Sequence, residues 1–441
     1  MKSAIVIGAG LAGLTTAYRL NKAGWQVTVF EASNQVGGRA VTVSKQGYLF
    51  DSGAVATGTV YRDYMALITE LGLADRMVNA STVAATVRNG KLHEIDSAKP
   101  MTAVMSPLFS WRSKFKLINL FRDLAKIKPY LNIRDVAAAA QFDDETTEAY
   151  ARRRLNEELL EYFIEPMIRT LNLNRAANNS RLELMNALAG LFDTTMFTLL
   201  GGLVTVSQAM AKSLDVRLDT PVDEVKRFDD HVEVYFRDAS GVANLASADV
   251  CVFATALPAA LDIYPPARKD LSPLVDIITY NRGLCVHLGY KAATRTKALM
   301  AMMPPSESSE ISLLWLEHNK GPDRAPAGHS MITVFFDHAG ADRPWALDDA
   351  ALIQDTAAKV EHWLPELSGH LEMTHVTRWP VGLTNPHLGI FKAMQVVNNK
   401  LNPADRIQYA GDYRSTAGQN SAVACGNNVA VNLIKHESRL T

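Results

Sequence analysis

A glycine-rich turn between an apolar strand and a helix constrains this chain more than any other feature of its sequence. Residues 3–7 (SAIVI) are apolar and rich in β-branched side chains, which predicts a buried parallel strand. The turn at residues 8–13 (GAGLAG) follows, and residues 11–23 then place apolar side chains at helical spacing up to Gly24. With a second strand at 26–30 (QVTVF), the segment is a βαβ unit of about 30 residues.

The turn has the pattern GxGxxG, in which each glycine has its own physical role. Gly8 permits the tight turn, Gly10 lets the backbone approach a pyrophosphate, and Gly13 lets helix and strand pack closely. The helix that starts here offers unpaired N–H groups and a partial positive charge to phosphates. Glu31 ends the second strand, where a carboxylate can accept hydrogen bonds from ribose hydroxyls. We therefore predict a bound dinucleotide, with contacts at Gly8, Gly10, Leu11, Ala12, Gly13, Glu31 and Ala32.

Two motifs downstream favour a flavin over a nicotinamide dinucleotide. Gly37 and Gly38 allow close approach, and the guanidinium of Arg39 matches phosphate oxygens. Residues 50–54 (FDSGA) then form a strand end that runs into a turn of small residues, which leaves room for a flat ring. The predicted cofactor contacts in these motifs are Gly38, Arg39, Gly53 and Ala54.

Taken together, these motifs resemble the N-terminal part of the flavin-containing amine oxidase superfamily, which includes monoamine and polyamine oxidases, protoporphyrinogen oxidases and carotenoid desaturases. Residues 409–412 (YAGD), residues 420–423 (NSAV) and Gly426 resemble its closing signature. The resemblance implies that Asp412 binds the ribityl chain of FAD and that the following helix points its N-terminus at the flavin ring. A helix N-terminus there would stabilise the negative charge of a reduced flavin. Residues 220–225 (TPVDEV) resemble the strand of the family whose backbone contacts the adenine, here at Val222. The resemblance thus adds these predicted contacts: Val222, Gly411, Asp412, Ser421, Ala422 and Val423.

The implied fold is α/β: a doubly wound, Rossmann-like FAD-binding domain built from both termini, with an inserted α+β substrate domain that has a helical subdomain. We expect the discontinuous FAD-binding domain at 1–60, 201–260 and 395–441. The substrate-binding domain is expected at 61–200 and 261–394, with its helical portion at 61–200.

The sequence departs from amine oxidases at three places that the resemblance makes important. Residues 378–383 lack the cysteine that binds flavin covalently in monoamine oxidases, so we predict noncovalent FAD. Residues 416–420 lack an aromatic cage residue, and residues 280–284 lack the lysine that many amine oxidases keep near the flavin. Residues 278–290 and 163–166 look more like protoporphyrinogen oxidases and desaturases, although residues 167–172 replace the glycine-rich continuation of that branch.

We therefore expect an FAD-dependent oxidoreductase that removes a hydride from a hydrophobic small molecule, by oxidation or desaturation. Oxygen or another acceptor would reoxidise the flavin. One alternative is an amine oxidase that acts on a primary or secondary amine, and another is a non-catalytic FAD-binding protein.

Three residues are candidates for a role in catalysis, each with a structural alternative. Trp379 lies in a segment that passes near the flavin in the family, or it simply packs in the core. His387 could act as a base or make only local hydrogen bonds. Arg282 could orient an anionic substrate or form an ordinary ion pair.

Composition limits the partners that we expect. A formal net charge of −1 gives no indication of nucleic-acid binding. Cys251, Cys285 and Cys425 are far apart, which argues against disulfides and a metal site and favours a cytoplasmic protein. The sequence contains no apolar run of about 20 residues that would span a membrane, and it leaves the oligomeric state open.

The stretch 99–134 is strongly basic, with eight Lys or Arg residues against the single acid Asp123 and with leucines and phenylalanines between them. It predicts either an amphipathic surface that makes weak, peripheral contact with a membrane or a solvated helix face. Charged helix faces usually serve only solvation, so the sequence favours the second interpretation.

Overall fold

The structure is a computed structural model that describes residues 1–99, 101–132, 134–191 and 194–437. Its strands are Ser3–Ile7 (β1), Gln26–Phe30 (β2), Thr42–Lys45 (β3), Tyr48–Asp51 (β4), Met77–Asn79 (β5), Val83–Arg88 (β6), Lys91–Asp96 (β7), Phe197–Leu199 (β8), Asp215–Arg217 (β9), Val222–Arg227 (β10), Val232–Arg237 (β11), Ala243–Ala248 (β12), Val250–Phe253 (β13), Thr279–Tyr290 (β14), Met300–Met302 (β15), Ile311–Leu316 (β16), Ser330–Phe336 (β17), Leu371–Asn385 (β18) and Ile407–Tyr409 (β19).

The α-helices of the described residues lie between these strands, singly or in groups. They are Leu11–Lys22 (α1), Arg62–Glu70 (α2), Met101–Met105 (α3), Trp111–Ile127 (α4), Thr147–Arg154 (α5), Glu157–Leu159 (α6), Glu165–Asn172 (α7), Arg181–Leu191 (α8), Val204–Ala211 (α9), Leu257–Ile263 (α10), Ala267–Asp270 (α11), Leu274–Ile277 (α12), Asp342–Ala346 (α13), Asp349–Trp363 (α14), Ile390–Lys400 (α15) and Gln419–Lys435 (α16). No helix in this part of the chain is long and apolar enough to cross a bilayer.

A parallel sheet joins distant parts of the chain in the order β19-β13-β1-β2-β9. The apolar sequences of β1 and β13 suit their inner positions, because a parallel sheet is covered on both faces. Leu14 of α1, Val252 of β13 and Val429 of α16 belong to one core that covers a face of this sheet. The α/β class predicted from the sequence is confirmed, and the carboxyl ends of β1, β13 and β19 lie at one edge of the sheet.

A second, seven-stranded sheet has the order β18-β14-β17-β16-β15-β6-β7. The hairpin of β6 and β7 comes from the segment 61–200, and the other five strands come from the segment 261–394. Helix α14 packs on this sheet, where Val286, Val334 and Val360 share a core. The division into domains stays a prediction.

The stretch 61–200, which we predicted to be largely helical, also contains strands β5 to β8. Asn89 and Gly90 connect β6 to β7 with φ angles of +55° and +70°. Asn-Gly is the preferred pair for such a two-residue hairpin, so this dipeptide predicts the hairpin that the helical periodicity of the stretch did not reveal. The polar segment after Gly241 likewise continues into a further strand, β12.

Candidate flavin site and its surroundings

The three glycines of the turn have different surroundings. Gly8 has φ +105°, and a Cβ there would lie 3.0 Å from the Ala254 carbonyl oxygen. A Cβ on Gly13 would lie 2.0 Å from the carbonyl oxygen of Gly8, so α1 could not pack against the turn with a larger residue there. At Gly10, by contrast, no atom of the described residues other than its chain neighbours lies within 4 Å of the position of a Cβ. Gly8 and Gly13 therefore serve packing within the protein, and Gly10 faces open space.

Helix α1 begins beside this open space without a capping side chain and without an acidic residue in its first turn. The second glycine motif packs onto the same turn. Gly37 donates its N–H to the carbonyl of Ala9 at 2.9 Å, and a Cβ on Gly38 would lie 3.2 Å from the Cα of Gly10. A phosphate could approach the unpaired N–H groups of α1 at this point.

The carboxylate of Glu31 stabilises the glycine turn through hydrogen bonds, a structural role that the sequence did not predict. Its carboxylate accepts a hydrogen bond from the N–H of Ala9 at 2.7 Å and two from Ser33, at 2.8 and 2.9 Å. Its carbonyl accepts a hydrogen bond from the N–H of Thr220 at 2.8 Å, which places the start of β10 and Val222 next to it. Two segments predicted to hold the adenosine half of a dinucleotide are thus adjacent, and Ala32 is exposed beside them.

Arg39 and Asp412, from opposite ends of the chain, form an ion pair with 2.7 Å between Nη1 and Oδ2. Arg39 also donates to the carbonyl of Gly382 at 2.5 Å. Tyr280 donates its hydroxyl to Asp412 Oδ1 at 2.9 Å and accepts the N–H of Leu257 at 3.0 Å. Burial, together with the charge of Asp412, raises the pKa of Tyr280 well above its ordinary value, so this hydroxyl stays a donor. Sequence reasoning missed Tyr280 because no motif marks it.

The loop at residues 52–54 lies against Arg39. A Cβ on Gly53 would lie 2.1 Å from the carbonyl oxygen of Arg39, and Ala54 donates its N–H to that oxygen at 2.9 Å. The indole N–H of Trp379 donates to the carbonyl of Ser52 at 2.8 Å. The structure therefore brings Trp379 next to the predicted cofactor contacts.

The last helix, α16, completes this group of elements. It begins after Gly418, whose φ is +136°, and like α1 it has neither a capping side chain nor an acid in its first turn. The two helices pack tightly, since a Cβ on Gly426 would lie 2.5 Å from the carbonyl oxygen of Ala12. At the start of α16 Ser421 and Val423 are buried and Ala422 is half-buried. Both helices thus begin with N-termini that no side chain caps.

A buried cluster of charges lies under the loop at 52–54. Asp51 is fully buried and forms ion pairs with Lys320 and, at 3.1 Å, with Arg324. It also accepts hydrogen bonds from the hydroxyl of Thr42 at 2.5 Å and the N–H of Leu203 at 3.1 Å. Burial by itself raises the pKa of Asp51, but the two positive charges outweigh it and hold the pKa below its ordinary value. The cluster anchors the base of the loop.

The other two catalytic candidates have protein partners of their own. Arg282 pairs with Asp342 and lies 5.0 Å over the ring of Trp345. His387 contacts the carbonyl of Asn178 through Nδ1 at 3.1 Å and the hydroxyl of Thr279 through Nε2 at 2.6 Å. Burial lowers the pKa of His387, so its imidazole is neutral at pH 7. These contacts agree with the structural alternatives for both residues.

The family described as flavin containing amine oxidoreductase matches residues 11–434. This chain belongs to the flavin-containing amine oxidoreductase family. It is accordingly a flavin-dependent oxidoreductase. Three features are consistent with a bound flavin dinucleotide. They are the uncapped N-termini of α1 and α16, the open space at Gly10, and the contact between motifs from the two ends of the chain.

Within the family, this chain is 24% identical to coproporphyrinogen III oxidase of Bacillus subtilis (strain 168), over 94% of this chain and 93% of that protein. It is 30% identical to 4,4'-diapophytoene desaturase of Staphylococcus haemolyticus, over 37% of this chain and 28% of the desaturase. Among solved structures, cyclohexylamine oxidase from Brevibacterium oxydans aligns with a TM-score of 0.80 and 18% identity, over 99% of this chain and all of that one. At that identity, the likeness to the amine oxidase shows a shared fold.

Proposed function

We propose that this chain is an FAD-dependent enzyme that removes a hydride from a hydrophobic small molecule, by oxidation or desaturation, with noncovalently bound FAD. The observation that carries the proposal is the full-length similarity to coproporphyrinogen III oxidase. The similarity to 4,4'-diapophytoene desaturase, over a shorter part of the chain, also supports it. FAD would supply the acceptor for the hydride, and oxygen or another acceptor would reoxidise it.

The described contacts suggest how the chain would hold FAD. The turn at Gly10 and the N-terminus of α1 would receive the pyrophosphate, and the segments at Glu31 and Val222 would receive the adenosine half. Asp412, held by Arg39 and Tyr280, would bind the ribityl chain. The N-terminus of α16 would stabilise negative charge on the ring.

The noncovalent attachment rests on where the cysteines lie. Cys251, Cys285 and Cys425 are all buried and free, and Cys425 lies inside α16 with its sulfur 3.9 Å from the carbonyl oxygen of Gly411. Denaturing the holoprotein in acid and separating it from small molecules tests the attachment. We expect the FAD in the soluble fraction and an unmodified protein mass, whereas a mass increase equal to that of FAD contradicts the proposal.

The substrate class is tested with purified holoprotein in air. We expect coproporphyrinogen III to give the fluorescence of the oxidised porphyrin together with hydrogen peroxide, if oxygen is the acceptor. Cyclohexylamine and putrescine serve as the comparison set, because an amine oxidase is the alternative. If the holoprotein turned over a simple amine but not the porphyrinogen, the amine oxidase alternative would be favoured over the proposed activity. A flavin that no candidate substrate reduces, and that is not reoxidised after photoreduction, would favour the non-catalytic alternative.

We also propose peripheral contact with an anionic membrane through α3 and α4. Trp111, Phe115 and Ile118 lie on one face of α4, and the side chains of Trp111 and Phe115 are 62% and 70% exposed. Met101 and Met105 of α3 are exposed as well. The opposite face of α4 is buried through Ser113, Leu120, Leu124 and Ile127, so the apolar residues on its outer face are not needed for its packing.

The charge around this apolar face indicates an anionic lipid surface as the occupant. Arg112, Arg122 and Lys126 are exposed on α4, and Asp123, its single acid, already pairs with Arg154. Basic residues that flank exposed aromatic side chains are typical of helices that lie in a bilayer interface. Pro100 and Ile133, within the stretch 99–134, lie outside the described residues.

Co-sedimentation with vesicles tests this surface at low salt. We expect binding to vesicles that contain phosphatidylglycerol, weak binding to phosphatidylcholine alone, and loss of binding in W111S/F115S. The control is L245S, which removes a side chain that is 53% exposed on β12. Absence of binding by the wild type at low salt contradicts the proposal.

A further inference from the structure

Glu183 on α8 is a buried carboxyl group that none of the roles above uses. Its side chain is 8% exposed, and Oε2 has no hydrogen-bond partner among the described residues. A buried polar atom without a partner is costly, so its retention needs an explanation. The location of this carboxyl group supplies one.

Glu183 lines a cavity of about 10 Å³, which is roughly the size of one water molecule. Asn172, at the end of α7, and Thr384, near the end of β18, line it as well. Residues 415–417, which precede Gly418 and the N-terminus of α16, also line it. The remaining lining is apolar, from Pro386, Ile390, Phe391 and Met394. The carboxyl group therefore faces a small cavity with both polar and apolar lining, next to the segment that leads into the helix that we assign to the flavin ring.

The cavity also controls the protonation of this group. Burial raises the pKa of Glu183 to about 7, while a hydrogen bond from Asn172 opposes the shift. Burial and the charge of Glu183 both raise the pKa of the nearby phenol of Tyr61, which does not line the cavity. The other residues that line the cavity in the described chain do not ionise near neutral pH. Glu183 can therefore accept and release a proton in the neutral range.

Removal of a hydride from a hydrophobic substrate leaves a positive charge on the substrate carbon. A neutral product with a new double bond forms only when a proton also leaves, from the neighbouring C–H or N–H. We propose that Glu183 is the catalytic residue that accepts this proton, an inference that rests on the proposed function.

In this step the hydride leaves the substrate with its electron pair, for which bound FAD would be the acceptor. The proton moves to Oε2 of Glu183 through one water molecule, for which the cavity has room, and the electron pair of the broken C–H or N–H bond becomes part of the new double bond. The substrate loses two electrons and two hydrogens in total. Release of the proton to water restores the carboxylate.

Three variants of the holoprotein test the proposal. E183Q keeps the size of the side chain but cannot accept the proton, and E183D keeps the carboxylate on a shorter chain. The control is E157Q, which changes a glutamate of α6 whose side chain is 69% exposed. Thermal unfolding and FAD content show whether each variant is folded and loaded.

The first measurement is the rate of flavin reduction by coproporphyrinogen III, mixed anaerobically, as a function of pH. Because the base must be ionised, we expect the wild-type rate to rise with pH through about 7. E183Q should be slower by about 100-fold and independent of pH in this range, which is the scale of a lost general base. E183D should recover part of the rate and the pH dependence, and E157Q should match the wild type. A loaded E183Q with the wild-type rate and pH profile overturns the proposal.

The second measurement does not depend on turnover. Infrared difference spectra of wild type against E183Q should show a protonated carboxyl band that disappears as the pH rises through about 7. A Glu183 that is already ionised at about pH 5 overturns the proposal. If coproporphyrinogen III does not reduce the wild-type flavin at all, the proposed substrate is wrong, and the infrared titration still decides whether Glu183 can serve as the base.

Discussion

Gly10 and Gly13 lie three positions apart in one turn, yet the structure predicts different consequences for the same substitution. In G13A the added Cβ meets the carbonyl oxygen of Gly8, so the helix must move away from the strand. We expect a lower melting temperature of the apoprotein, with a loss of about 1–3 kcal/mol typical of overpacking. In G10A the methyl group meets no protein atom, so the apoprotein should keep its stability.

For FAD binding, G10A is the substitution from which we expect a direct effect. A methyl group at Gly10 occupies the space through which a pyrophosphate would approach, and we expect FAD affinity to fall by about 10-fold or more, which is about 1.4 kcal/mol. Fluorescence titration of the apoproteins measures the affinity. If G10A binds FAD as tightly as the wild type, the pyrophosphate does not lie at this turn.

Lys320 shows how a fully buried charge depends on its partner. In K320M the carboxylate of Asp51 loses its nearest cation, and we expect unfolding free energy to fall by about 3–5 kcal/mol, as when one partner of a buried pair is removed. The double variant D51N/K320M should be more stable than K320M. Denaturant unfolding measures both.

The same cluster has a pH dependence with a defined sign. Because the pKa of Asp51 is held below its ordinary value of 3.8, its stabilisation is complete above that value and is lost as the pH falls through the folded-state pKa. Acid unfolding should therefore show this contribution in the wild type and lack it in D51N/K320M.

Among the elements, α4 depends on a single carboxylate at its N-terminus. Glu158 accepts hydrogen bonds from Ser113 at 2.5 Å, from Ser110, which caps the helix, at 2.6 and 3.0 Å, and from Arg88 at 2.9 Å. Burial alone would raise the pKa of Glu158, but these donors lower it to about 2. The carboxylate thus fixes the start of α4 to strand β6.

The expected consequence is a pH-dependent fraying of α4. The stabilisation by Glu158 should be complete above its ordinary pKa of 4.5 and lost as the pH falls towards about 2. In E158Q, hydrogen exchange at residues 111–127 should be faster at pH 7, and E157Q should leave it unchanged. Equal exchange in E158Q and the wild type would show that α4 does not need this anchor.

Sequence patterns predicted the elements whose signals are local. The bounds of β1 and β2 are confirmed, and α1 ends within one residue of the prediction. The strands between α2 and α9 were missed because they are short and lie among helical patterns. The contacts of the candidate site could not be predicted from the sequence because their partners are far apart in the chain. Tyr280 is 132 residues from Asp412, and Lys320 is 269 residues from Asp51. Such pairs depend on the three-dimensional fold and leave no periodic trace in the sequence.

For the whole molecule, the site makes a prediction about where FAD changes the dynamics. Hydrogen exchange with and without FAD should show protection at 8–13, 31–39 and 411–426 together, because Arg39 pairs with Asp412 and α1 packs against α16. The hairpin of β6 and β7, at the far edge of the seven-stranded sheet, is the internal control. Protection confined to the N-terminal segments would contradict a site shared by both ends.

The position of β1 in the parallel sheet has a consequence for synthesis of the chain. Its neighbours in the sheet are β2 and β13, so one edge of β1 stays unpaired until residues 250–253 have been synthesised. Helix α1 likewise lacks its partner until α16, which begins at residue 419, has been synthesised. At about 5–20 residues per second, the ribosome takes on the order of 20 to 80 s to make the chain in between. Throughout that time the glycine turn would be exposed as part of an unfinished sheet, which makes the early nascent chain a client for chaperones. Capture of the cofactor would then follow translation of the last helix.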